Sequence, residues 1–209
     1  MRDEVGDYDQ NLVDRWFERG VERSSFSGRL VCAELADIAP KCPEFWASLA
    51  FMFQRKHLHG DAVDAWVIAA DRCSEEGKRC AILFAAAHSW WDVHLENGRH
   101  GAKTEAWEHA LASIEKAALL GVRSAQVHQW FAVLYQDVME TDLQLEHIAS
   151  ALRENDGHEL EWEDFWFADE AIAEIRSYGD VLRTLVNRQQ FERAGEVLQA
   201  AFSAGLSIK

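Results

Sequence analysis

Proline, the residue that most reliably interrupts a helix, stands at only two positions of this chain, Pro40 and Pro43. It has no amide hydrogen to offer the carbonyl four residues back, and its ring collides with the preceding turn. Everything after Pro43 is therefore free of that interruption. What fills the space favours helix: Ala, Leu, Glu and Arg recur, and alternating β-branched runs are scarce. With 48% hydrophobic residues the chain can bury a core. An all-α fold is the expectation, and 209 residues suffice for one or two compact domains or a short solenoid.

The clearest unit covers 43–76. Trp46, Leu49, Ala50 and Phe53 share one helical face, and a polar turn from Arg55 through His57 to Gly60 follows. Ala62, Trp66 and Ala69 then share one face of a second helix. Small Ala50 and Ala62 let the two helices approach closely, while Trp46, Phe53 and Trp66 fill the space around that contact. Asp61 puts negative charge at the start of the second helix, where the peptide dipole favours it.

These seven residues, from Trp46 to Ala69, resemble the tetratricopeptide repeat and keep that family's spacing. The resemblance implies stacked antiparallel helical hairpins, a TPR-like α-solenoid, running through a single domain over 1–209. Other segments echo it less fully, so the hairpins fall near 8–39, 43–76, 80–118, 124–154 and 178–205, with an extra helix near 162–177. Gln144 stands where the family prefers a small residue, and the turn from about Glu96 to Thr104 is long. Corresponding positions lie unevenly and wider apart than the family's roughly 34 residues. A bent or compact stack is thus as compatible as a regular superhelix. The segment near 162–177 mixes acidic and aromatic residues, as a helical first turn with inward aromatics would.

A formal net charge of −15 repels phosphate backbones and anionic lipids, which argues against nucleic acid and membrane as partners. It would attract a basic protein, and it also keeps a Trp-rich chain in solution. The four cysteines, Cys32, Cys42, Cys73 and Cys80, form no CxxC pair and read as reduced thiols of a cytoplasmic protein. Residues Met1 to Glu4 are not a basic region followed by an apolar run, so no secretory leader is expected. No apolar stretch approaches the roughly 18 residues that span a bilayer.

Motifs that carry chemistry are missing. Nine histidines occur, but none form HExxH or an i, i+4 pair, so no metal is expected. Neither GxxxxGK[ST] nor GxGxxG is present to cradle phosphates, and no GxSxG elbow appears, so no cofactor and no enzymatic activity are expected.

Binding is the expected role, and the resemblance implies where. Stacked tetratricopeptide hairpins present a concave face lined by their first helices, where a partner peptide or helix lies. First-helix residues turned away from the second helix are the candidates. In the 43–76 unit these include Phe51 and Arg55; in the next, His88 and Trp91. The 124–154 unit supplies Gln129, Trp130, Gln136 and Asp137, and the last hairpin Asp180, Arg183 and Asn187. Phe51, Trp91 and Trp130 are large aromatics beyond those of the hairpin contact, and aromatics and Arg commonly anchor interfaces. Tight bending, or the segment near Trp162, would instead cover them as core. Arg55 and Arg183 suit a carboxylate or chain terminus. The Lys/Asn/Arg clamp of the family's chaperone-binding members has no counterpart on this face. The function expected is thus an adaptor holding a protein or peptide. The alternatives are an acidic inhibitor or immunity-type protein neutralising a basic toxin, and an enzyme or small-molecule sensor whose site assembles only in three dimensions. An uncapped end hairpin would also allow a homodimer.

Overall fold

A computed structural model describes residues 41–98, 101–162 and 175–206. The expected hairpin near 8–39 lies outside the described residues, as does most of the expected helix near 162–177. Eight helices and no strand occur among the described residues, so the chain is all-α as expected. They are α1 (Pro43–Arg55), α2 (His59–Arg72), α3 (Glu76–Glu96), α4 (Glu105–Ala118), α5 (Ser124–Asp137), α6 (Thr141–Glu154), α7 (Tyr178–Asn187) and α8 (Phe191–Ser203). None of them is long and apolar enough to cross a membrane. They fall into two compact units that divide after Val122.

In the first unit each helix packs on the next, α1 on α2, α2 on α3 and α3 on α4. Pro43 opens α1, where its missing amide hydrogen costs no helical bond, and Glu44 and Arg55 oppose the dipole at the two ends. Trp46, Leu49, Ala50 and Phe53 are buried, as are Ala62, Trp66 and Ala69 on α2. Arg72 lays its guanidinium over the Trp46 ring at 4.9 Å. Helix α3 lies between α2 and α4, and it is buried nearly all round, from Cys80 through Ala87. Gln54 donates to Ser89 Oγ at 2.7 Å and Lys78 meets Glu44 at 2.8 Å, so two polar bonds tie α3 to α1. Thr104 caps α4 by accepting from the Trp107 amide, and its hydroxyl also lies 2.7 Å from Nδ1 of the fully buried His94.

In the second unit α5 packs on α6, α7 on α8, and α7 also on α6. Ser177 and Asp180 form a reciprocal capping box at the start of α7. The Tyr178 hydroxyl donates to the Ala149 carbonyl and fastens α7 to α6.

Three hairpins, α1–α2, α5–α6 and α7–α8, share one turn. Each first helix ends with a non-glycine residue in the left-handed region: His57, Met139 or Gln189, at φ 57°, 58° and 61°. Each closes the same pair of bonds. Leu58 donates back to the Phe53 carbonyl and His57 to Gln54; Glu140 and Met139 do the same to Tyr135 and Gln136, and Gln190 and Gln189 to Leu185 and Val186. Counted from that left-handed residue, Ala62, Gln144 and Ala194 stand at one register position, and Ala69, Ala151 and Ala201 at another. All six are buried. Gln144 therefore occupies the small-residue position without opening the hairpin.

Candidate functional site

The residues expected to line a binding face divide into interior and surface. Trp91 and Trp130 are each 4% exposed, which makes both part of the core, the outcome that coverage by tight packing would give. Gln129, expected to face a partner, is also buried, and its amide nitrogen donates to the Glu161 carbonyl at 2.7 Å. The expectation that Phe51 stands clear of the hairpin contact is corrected: its ring meets Trp66 of α2 edge-on, with centroids 4.7 Å apart. Arg55 and Arg183 are exposed, while His88 and Asp137 are half-buried. The helix period says which side of one helix a residue occupies, but not what a second neighbour places on that side.

His88 belongs to a polar cluster in the first unit. Asp92 Oδ2 lies 3.3 Å from His88 Nδ1 and 2.9 Å from His59 Nδ1, the latter a close approach without hydrogen-bond geometry. His59 Nε2 lies 3.6 Å from Glu96. The carboxylate thus joins the start of α2 to the last turns of α3. Sequence reading missed Asp92 as a bridge, because it stands thirty-three positions beyond His59 and nothing local links the two. No group of three His, Cys, Asp or Glu side chains is arranged to hold a metal ion among the described residues. Cys42, Cys73 and Cys80 form no disulfide among them.

Among the described residues of the second unit, one groove lies on either side of α7. The first, about 530 Å³, lies where the end of α5, the start of α6 and the outer side of α7 converge. Its lining includes Gln136, Gln144, Arg183, Asn187 and Arg188, with Met139 at the edge. The carboxylate of Asp180 is already committed. Burial works to raise its pKa, but bonds from the Ser177 hydroxyl and from the Arg176 and Ser177 amides outweigh burial and hold it below the usual range. Arg183 pairs with the other Asp180 oxygen at 3.0 Å while remaining largely exposed. Arg188 makes no ion pair among the described residues. The groove therefore offers guanidinium and amide donors, and the one carboxylate that lines it among the described residues is occupied. Arg183 and Asn187 were legible as first-helix surface residues. Gln144, on the second helix, and Arg188, in the turn, were not.

The other groove, about 400 Å³, lies between α6 and α8 over Tyr178 and Leu185. Its rim charges cancel in part: Arg193 meets Asp142 at 2.7 Å and Glu146 at 4.0 Å, and Gln190 donates to Asp142 at 2.9 Å. That leaves fewer uncommitted donors and acceptors than on the opposite side of α7.

No protein-family model matches this chain, and neither a curated protein nor a solved structure matches it.

Proposed function

We propose that the chain is a non-enzymatic binding module of tetratricopeptide-type hairpins, and that the groove beside α5 and α7 takes an extended peptide segment through a carboxylate. The observation that carries this reading is the placement of Arg183 and Arg188 with Gln136, Gln144 and Asn187 around one cavity of about 530 Å³. Guanidinium groups match a carboxylate in geometry, and side-chain amides satisfy the peptide groups that follow it. The shared turn and register of the three hairpins support the architecture. The net charge of −15 does not oppose a single carboxylate at this place. Charges more than about 8 Å away are largely screened at physiological salt, whereas the arginines act at contact. A polyanion would meet the whole field and be repelled.

Titrating isotope-labelled protein with a short peptide, its C-terminally amidated form and a lysine-rich control tests this. The expected result is perturbed backbone resonances at Thr184, Asn187 and Arg188 with the free carboxylate. Binding should weaken by about tenfold, or about 1.4 kcal/mol, in Arg188→Ala and on amidation. Stronger binding of the lysine-rich peptide would overturn it in favour of an inhibitor of a basic partner, the reading that the net charge favours.

A further inference from the structure

A pair of histidines in the second unit stands apart from the carboxylate groove. His128 on α5 and His147 on α6 bring their Nδ1 atoms within 2.9 Å, with ring centroids 5.2 Å apart and planes tilted by 33°. Both are half-buried. Phe131 and Tyr135 stack on His147, with centroids 4.7 and 5.5 Å away, and hold its ring in place. Counted from the left-handed turn residue, the same two positions hold Trp46 and Ala65 in α1–α2, and Tyr178 and Val197 in α7–α8. None of those four has a nitrogen lone pair to donate. Of the three hairpins, α5–α6 is the one that turns two imidazole nitrogens onto a single point.

We propose that these two Nδ1 atoms hold one divalent cation of the zinc class, with water completing its coordination. Imidazole is a preferred ligand of such ions. Zinc takes an imidazole nitrogen at about 2.0–2.1 Å, so two nitrogens on one tetrahedral ion stand about 3.3–3.4 Å apart. The rings need part by only roughly half an ångström from their hydrogen-bonded spacing to admit it. In that hydrogen bond one ring donates its Nδ1 hydrogen to the other. Taking up the ion moves this hydrogen to Nε2 of the same ring, so both Nδ1 lone pairs face the metal and no proton is released. Burial lowers the pKa of both rings, which keeps them in the neutral, ligating form. The surrounding charge also suits a dication. Glu154 and Glu146 act on His128, opposed by Arg153, which itself lies 3.9 Å from Glu154. Among the described residues no third His, Cys, Asp or Glu completes a closed set, so the site is open, unlike a structural zinc site with four protein ligands. His147 stands nineteen positions beyond His128, so the spacing of HExxH or of an i, i+4 pair does not register it.

Zinc titrated into the isotope-labelled whole chain, followed by NMR, tests the site. The side-chain nitrogens of His128 and His147 are expected to shift together and to saturate at one ion per chain. Magnesium, which prefers oxygen donors, should leave them unchanged. His128→Phe and His147→Phe keep a ring at each position and should each weaken this binding by at least about tenfold, with helicity by circular dichroism unchanged. The wild-type shifts serve as a test whether or not a variant keeps its helicity. The last cysteine is Cys80, so zinc held by thiols perturbs resonances of the first unit instead. Shifts confined to the first unit or to other histidines, shifts that do not saturate, or a variant with wild-type affinity would each overturn the proposal. Neither histidine lines the carboxylate groove, so that reading stands or falls separately.

Discussion

The Nδ1 atoms of His128 and His147 lie 2.9 Å apart, so a single proton joins the two rings. In the register of the hairpins they occupy the positions of Trp46 and Ala65, and of Tyr178 and Val197. A large side chain against a small one has become two imidazoles. His147 lies nearly parallel to Tyr135, at 7°, and stacks on Phe131 with centroids 4.7 Å apart. Burial, then the neighbouring His128, lowers the pKa of His147 from 6.5 to about 4. Burial also lowers that of His128, with Arg153 acting the same way and Glu154 and Glu146 opposing.

Stability should therefore depend on pH in a defined window. The unfolded chain takes up protons near the ordinary value of 6.5, and the folded chain only below it. The contribution is complete above that value and is lost as pH falls toward about 4. Discounted for the partial exposure of the rings, the loss is about 1–2 kcal/mol. Urea midpoints measured from neutral pH downward should show it, and His147→Phe, which keeps the stack, should flatten the curve. An unchanged curve in that variant would place the dependence elsewhere. The Glu44 and Asp180 carboxyls, both lowered, act only below 4.5 and 3.8.

Trp66 is fully buried, yet its indole Nε1 has no hydrogen-bond partner. Trp66→Ala should cost about 3–5 kcal/mol, as large core truncations do. Trp66→Phe should cost much less than that, because it removes an unsatisfied donor while keeping an aromatic face for Phe51. Chemical denaturation of both variants checks the order. Equal losses would mean that the indole nitrogen is satisfied in solution.

Trp91 and Trp130 should behave as core. Trp91→Ala and Trp130→Ala are each expected to cost about 3–5 kcal/mol and to lower the thermal midpoint. Variants that keep wild-type stability would return these residues to the surface that sequence reasoning offered them.

Met139 is 77% exposed and sits at φ 58°, a conformation that a Cβ disfavours by roughly 1–2 kcal/mol. Met139→Gly relieves that strain but frees the unfolded chain, so a net gain of up to about 1 kcal/mol is expected. Calorimetry comparing the two proteins measures it. A loss of similar size would mean that the methionine side chain holds the turn.

Helix was legible in the sequence because its hydrogen bonds are local. Each amide reaches four residues back, and the period of Trp46, Leu49, Ala50 and Phe53 shows where such a run has a face to bury. The seven residues from Trp46 to Ala69 likewise marked two helices and the turn between them, and α1 and α2 lie there. Surface and interior were not legible in the same way. A helix such as α3, with neighbours on two sides, buries residues around most of its circumference, so its outer face is no surface and Trp91 is enclosed. Phe51 had no sequence neighbour to mark it as Trp66's partner. The groove draws Gln144 from α6, Arg183 from α7 and Arg188 from the turn beyond. Sequence alone determined that the chain is helical, because that depends on neighbours a few residues away. Which side chains are enclosed and which are presented depends on contacts between residues distant in the chain, and only the tertiary structure decided it.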